Sequence, residues 1–226
     1  RQVSSAASDV YKRQQLINQA IQLHLKGNIS EATKYYQQLI SQGCKDHRVF
    51  SNYGAILQGL EKLKEAEISL RKAIEIKPDF ANAHYNLGNI LSDLGNLKEA
   101  EISLRKAIEI KPDFANAHYN LGNILSDLGN LKEAEISLRK AIEIKPDYAN
   151  AHYNLGNTLK DLGNLKEAEL SYRKVIKIKP DFADAHYNLG NILRDLGNLK
   201  ELIILSKSTL ESCLLYTSPS PRDLRL

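Results

Sequence analysis

The sequence predicts an all-α fold, an α-solenoid built from about six helix-turn-helix repeats of 34 residues. Three observations predict it. Pro78, Pro112, Pro146 and Pro180 recur at a constant interval. Units 81–114 and 115–148 differ only at Phe114 against Tyr148, and unit 149–182 departs from the first of these at six positions. Within each unit, apolar residues fall at helical rather than strand spacing. A fixed period of this size marks an array in which each unit buries its apolar face against its neighbours.

Taken in order, the repeats are 13–46 and 47–80, both diverged copies, then 81–114, 115–148, 149–182 and an incomplete 183–212. Each reads as two helices, and "ANAHYNLGNILSDLGNLKEAEISLRKAIEIKPDF" serves as the pattern. Leu87, Ile90, Leu91 and Leu94 form the apolar stripe of the first helix. Gly95 ends it, because glycine tolerates the left-handed cap conformation. Asn96 is expected to cap the second helix, with Glu99 completing a capping box. Leu97, Ala100, Leu104, Ala107 and Ile108 continue the buried stripe. Pro112 ends the second helix, and Asp113 is expected to cap the next one. Gly88 costs about 1 kcal/mol inside a helix relative to alanine. Opposite Ala100, it lets the paired helices approach closely.

Leu87, Gly88, Leu91, Gly95, Ala100, Leu104, Ala107 and Pro112 match the small-and-large pattern of the tetratricopeptide repeat, and residues 15–205 resemble an array of that family. The large aromatic common near the start of that repeat is replaced here by His84, His118, His152 and His186. The resemblance implies an open right-handed superhelix, with first helices lining a concave groove and second helices on the outside.

The two ends do not follow the repeat. Val10–Arg13 can be encoded by GTG TAT AAG AGA, and the reverse complement of that DNA, extended by CA from the Gln14 codon, encodes Cys213-Leu-Leu-Tyr-Thr217. That DNA resembles a transposon end used to tag sequencing libraries. Residues 1–14 and 213–226 are therefore expected to be translated adapter and 15–212 the native solenoid, a fragment open at both ends. The ends carry five basic and two acidic residues, which leaves 26 basic against 25 acidic in 15–212, so the net charge of +4 is no sign of a nucleic-acid partner. No stretch of eighteen apolar residues predicts a membrane span. A cytoplasmic location is the default expectation.

Four histidines at one period invite a metal reading, but equivalent residues on packed helices stand about 8–10 Å apart, whereas zinc holds its ligands at about 2.1 Å. They are expected to pack at the aromatic position, with no metal or cofactor. No Ser–His–Asp set, glycine-rich phosphate loop or CxxC pair is present, so no catalytic site is expected in this chain.

The first helices carry a sharper signal. Asn82, Asn86, Asn89 and Asp93 lie at i, i+4, i+7 and i+11, on one stripe opposite the apolar one. Across repeats, one position is asparagine throughout: Asn18, Asn52, Asn86, Asn120, Asn154 and Asn188. Asn123 and Asn157 repeat Asn89, while Asp127 and Asp161 repeat Asp93. An asparagine offers both a donor and an acceptor, so a row of them can pair with an extended polypeptide's backbone whatever its side chains. This row resembles the asparagine ladder in the repeat arm of O-linked N-acetylglucosamine transferases, which implies an extended polypeptide as partner. Tyr85, Tyr119, Tyr153 and Tyr187 stand beside the ladder, as flat contact surface or as packing at the groove's edge. The lysine and arginine clamp by which related repeats grip acidic chaperone tails is missing, and the aspartates lean toward cationic ligands.

The charged second helices read as an ordinary solvated face. Near the end, Leu202-Ile203-Ile204-Leu205 is apolar where a polar terminal face is expected, while Ser206 and Thr209 replace small or apolar residues. That run is expected to dock against a downstream domain. Two functions therefore stand: an interaction scaffold, or the substrate-recruiting arm of a glycosyltransferase-like enzyme.

Overall fold

The computed structural model describes residues 2–204, with side chains from Val10 onward. Leu205, Ser206, Thr209 and the expected adapter at 213–226 lie outside the described residues. The described residues are helical throughout, without strands, in the order α1 (Gln2–Leu25), α2 (Ile29–Ser41), α3 (His47–Gly59), α4 (Leu63–Ile76), α5 (Ala81–Asp93), α6 (Leu97–Ile110), α7 (Ala115–Asp127), α8 (Leu131–Ile144), α9 (Ala149–Asp161), α10 (Leu165–Ile178) and α11 (Ala183–Asp195). Residues 199–204 open a further helical stretch. The chain divides into two compact units, 1–124 and 125–226, with the boundary inside α7.

In unit 1, α1 packs on α2, α3 on α4 and α5 on α6, and α4 joins successive repeats by packing on α5. In unit 2, α9 packs on α10, with α8 against α9 and α10 against α11. Each unit is thus an all-α solenoid of stacked helical pairs. The core of each pair is the expected stripe: Ala100, Leu104 and Ala107 are wholly buried, as are Ala134, Leu138 and Ala141, whereas Leu97 and Ile108 are half-buried.

Gly88 has the packing role its sequence predicts. A Cβ built there would lie 2.7 Å from Leu104 Cγ and 3.3 Å from the Ala100 carbonyl oxygen. The first-to-second turn is left-handed at Gly95, with φ of 79°. Glu61 holds the same conformation, φ 60°, at the equivalent place one repeat earlier.

Both expected caps are corrected. The Asn96 side chain makes no cap bond. Its backbone N–H instead donates to the Leu91 carbonyl at 2.8 Å, while Gly95 N–H donates to Ser92 at 2.9 Å, the paired bonds of a Schellman motif. The N–H that Glu99 needed for a capping box is therefore already taken. Asp113 sits one residue too early: Phe114 holds the cap place, its carbonyl accepting from Ala117 N–H at 2.9 Å. Phe80, Tyr148 and Phe182 stand at the N-caps of α5, α9 and α11, none with a side-chain cap bond. In α3 alone of the pattern's first helices an acceptor falls in register. There Asp46 accepts from Arg48 N–H at 2.9 Å and from its guanidinium at 2.7 and 3.0 Å. Those bonds outweigh burial and hold the Asp46 carboxyl below its ordinary range.

The first helix runs into the expected adapter segment. No glycine or proline occurs before Gly27, so nothing in residues 2–14 stops helix propagation, and Val10 and Tyr11 stay exposed.

Candidate polypeptide-binding face

The ladder asparagines Asn52, Asn86, Asn120, Asn154 and Asn188 are all half-buried on their first helices. Asn89, Asn123 and Asn157 are half-buried beside them, while Asp93, Asp127 and Asp161 are exposed. The stripe that sequence spacing predicts is therefore a stripe in the structure.

Its polar groups, however, first serve one another. In unit 1, Asn120 Nδ2 donates to Asn89 Oδ1 at 2.7 Å and to the Tyr85 hydroxyl at 3.4 Å, both in the preceding repeat. In unit 2, Asn188 Nδ2 donates to Asn157 Oδ1 and to the Tyr153 hydroxyl, both at 3.1 Å. Asn157 Oδ1 also accepts from the Tyr172 hydroxyl at 2.7 Å, and burial pushes that phenol's pKa upward. The amide donors of Asn120 and Asn188 are thus spent on the neighbouring repeat. At these two positions this corrects the expectation that a ladder residue offers both its groups to a ligand; the bridges fix their amide planes instead. Asp93 is similarly tied to the preceding repeat, accepting from Gln58 Nε2 at 2.9 Å.

The tyrosines take the edge-packing alternative on one face. Tyr85 stacks on Phe114 of the next repeat, ring centres 4.7 Å apart, and Tyr153 on Phe182 at 5.1 Å. Lys111 and Lys179 lie over the same phenylalanine rings, at 5.1 and 5.4 Å. Tyr119 is half-buried, and Tyr187 is 71% exposed. The sequence signal for this stacking was present in the aromatic residues at 80, 114, 148 and 182, one per repeat.

The four periodic histidines play a role that packing alone did not predict. The Nε2 of His84, His118, His152 and His186 lies 2.8–3.0 Å from the carbonyl oxygen of Pro78, Pro112, Pro146 and Pro180 respectively, six residues earlier. Each ring donates from Nε2 and closes the turn that enters its own helix. Burial lowers the pKa of His152, the most enclosed of them. Among the described residues, no group of three or more His, Cys, Asp or Glu is placed to hold a metal ion. No helix among them is long and apolar enough to cross a membrane.

Comparison with known proteins places the repeats. The family model described as TPR repeat matches residues 56–95, 88–129, 122–163 and 156–197. No curated protein matches the chain. Among solved structures, it is similar to YrrB, described as a TPR protein with an unusual peptide-binding site, at 27% identity over 76% of this chain and 89% of that one, TM-score 0.67. MamA shares the fold at 24% identity, covering 77% and 96% of the two chains, TM-score 0.71. PilF of Pseudomonas aeruginosa shares it at 15% identity over 93% and 94%, TM-score 0.77. With the family model spanning more than half its length on repeats whose turns, core and period are those described above, the chain belongs to the TPR repeat family.

Proposed function

We propose that this protein is a non-enzymatic interaction scaffold that holds an extended polypeptide along the face of its first helices. The observation that carries the reading is the asparagine row, one per repeat, in which the amide planes of Asn120 and Asn188 are fixed by bridges to Asn89 and Asn157. With their donors engaged, Asn120 and Asn188 turn carbonyl oxygens to the ligand, so the backbone N–H groups of a bound strand are the partners they suit. Spacing supports this: a repeat advances about 10 Å and an extended chain about 3.3 Å per residue, so every third residue meets a ladder position. Exposed Asp93, Asp127 and Asp161 at the C-terminal ends of their helices favour cationic side chains in the ligand. The peptide-binding site named for YrrB adds support from a similar protein.

The test is fluorescence anisotropy with a set of labelled extended peptides of differing sequence, against the wild type and Asn86→Ala/Asn120→Ala. Broad, weak binding that drops several-fold in the double variant, with helix content unchanged, is expected. Binding that ignores the double substitution overturns the reading.

A second reading, the substrate-recruiting arm of a glycosyltransferase-like enzyme, is favoured by one observation: Leu199, Ile203 and Ile204 are 60%, 56% and 67% exposed. A downstream domain would cover them. In both readings residues 1–14 and 213–226 are taken as translated adapter. Sequencing the source DNA through the Ser212 codon decides between a stop and a long open frame.

A further inference from the structure

Tyr172 of α10 stands where Leu70, Leu104 and Leu138 stand on α4, α6 and α8. Like those leucines it is wholly buried. Its ring lies against Gly156 of α9, where an added Cβ would come within 2.7 Å of Tyr172 Cε1. The ring centre of Tyr153 is 6.0 Å away. A hydroxyl carried by a second helix thereby arrives at the asparagine stripe of a first helix.

A buried hydroxyl needs a partner, and this one finds Asn157. The Tyr172 hydroxyl donates to Asn157 Oδ1 at 2.7 Å, and Asn188 Nδ2 donates to the same oxygen at 3.1 Å. A carboxamide oxygen has two lone pairs, and both are used here. Turning the Asn157 amide over would set its NH2 group against the Asn188 donor and forfeit that bond, so the amide is held one way round. Asn188 Nδ2 also donates to the Tyr153 hydroxyl at 3.1 Å. Two groups are left over, Asn157 Nδ2 and Asn188 Oδ1, and neither makes a hydrogen bond among the described residues.

The equivalent pair in unit 1 is held by one bond fewer. Asn89 Oδ1 accepts from Asn120 Nδ2 at 2.7 Å, but Leu104 occupies the place of Tyr172 and has no proton to donate. Tyr36 of α2 shares the register of Tyr172, yet Ile21 stands on its paired helix where Asn157 stands. A phenol and the carboxamide it can hold therefore coincide in repeat 149–182 alone.

We propose that Tyr172 is a positioning residue of the polypeptide-binding face. By holding Asn157 Oδ1 it leaves Asn157 Nδ2 and Asn188 Oδ1 as a fixed donor and a fixed acceptor for the C=O and N–H of a single extended residue of the ligand. Those two groups of one residue point to the same side of an extended chain, as in the hydrogen-bonded pairs of an antiparallel ladder. This rests on the scaffold reading above and adds to it that repeat 149–182 grips the strand most firmly.

The test is fluorescence anisotropy on the full 226-residue chain with the labelled extended peptides already described, comparing the wild type with Tyr172→Phe, Asn157→Ala and the two combined. Phenylalanine keeps the ring against Gly156 and removes only the hydroxyl. Tyr172→Phe is expected to weaken binding roughly three- to tenfold when Asn157 is present and to add nothing when it is alanine. Asn157→Asp keeps the acceptor oxygens and loses the donor, so with peptides lacking charged side chains it should bind as weakly as Asn157→Ala. A purely packing role for Tyr172 predicts wild-type affinity in Tyr172→Phe, or one and the same loss with and without Asn157; either result overturns the proposal, as does wild-type affinity in Asn157→Asp. Peptides that bind and respond to Asn86→Ala/Asn120→Ala but not to Tyr172→Phe overturn this inference alone. A wild type that binds none of them overturns the scaffold reading and this inference together.

Discussion

The amide nitrogen of Asn120 lies 2.7 Å from the side-chain oxygen of Asn89, one repeat earlier. A residue read from its sequence as a ligand contact is thus also a tie between repeats. The equivalent tie from Asn86 has no acceptor, because alanine stands at position 55 where Asn89 stands one repeat later.

That difference separates structure from binding. Asn120→Ala removes a half-buried, bridging hydrogen bond and is expected to cost about 1 kcal/mol, while Asn86→Ala costs a few tenths. Urea unfolding of the two single variants measures it. Equal losses would show that the bridge contributes nothing.

Glu61 holds a left-handed conformation that the other repeats assign to glycine at this turn. Replacing Glu61 with glycine is expected to stabilise the second repeat by about 1 kcal/mol, since the Cβ clash of an L-residue disappears. Slower hydrogen exchange in α3 and α4 is the readout.

Gly88 works the other way. In Gly88→Ala the new methyl meets Leu104 Cγ at 2.7 Å, and overpacking of roughly 1–3 kcal/mol outweighs the helix propensity gained. Adding Leu104→Ala relieves the clash, so the double variant should lose less than the sum of the two single losses in thermal melts. Additive losses would place the strain elsewhere.

His152 provides a pH dependence with a definite sign. Burial lowers its pKa below the ordinary value of 6.5 in the folded protein, as it does for His24 and His47. The unfolded chain therefore binds more protons as the medium turns acid. Stability from these groups is fully present above pH 6.5 and is lost as the pH falls through their folded values. His152→Gln keeps a side-chain donor for the Pro146 carbonyl without the titration. Urea midpoints followed from neutral to mildly acid pH should fall less steeply in that variant than in the wild type.

Local signals in the sequence determined a great deal: the period, the paired helices, the glycine turns, the proline stops and the buried stripe all follow from spacing and from residues with narrow backbone preferences. The asparagine stripe was legible for the same reason, since a helix places i, i+4 and i+7 on one side whatever surrounds it. Only the tertiary structure decided which polar groups meet. Whether Glu99 completes a capping box depends on the Asn96 backbone N–H, which the preceding turn had already claimed for the Leu91 carbonyl. Whether the Asn120 amide donor is engaged depends on Asn89 and Tyr85, 31 and 35 residues away. The clefts that Ile68 and Ile102 border likewise exist only once one repeat lies on the next. Periodicity is a property of one helix, but hydrogen-bond partners and grooves belong to the contact between two.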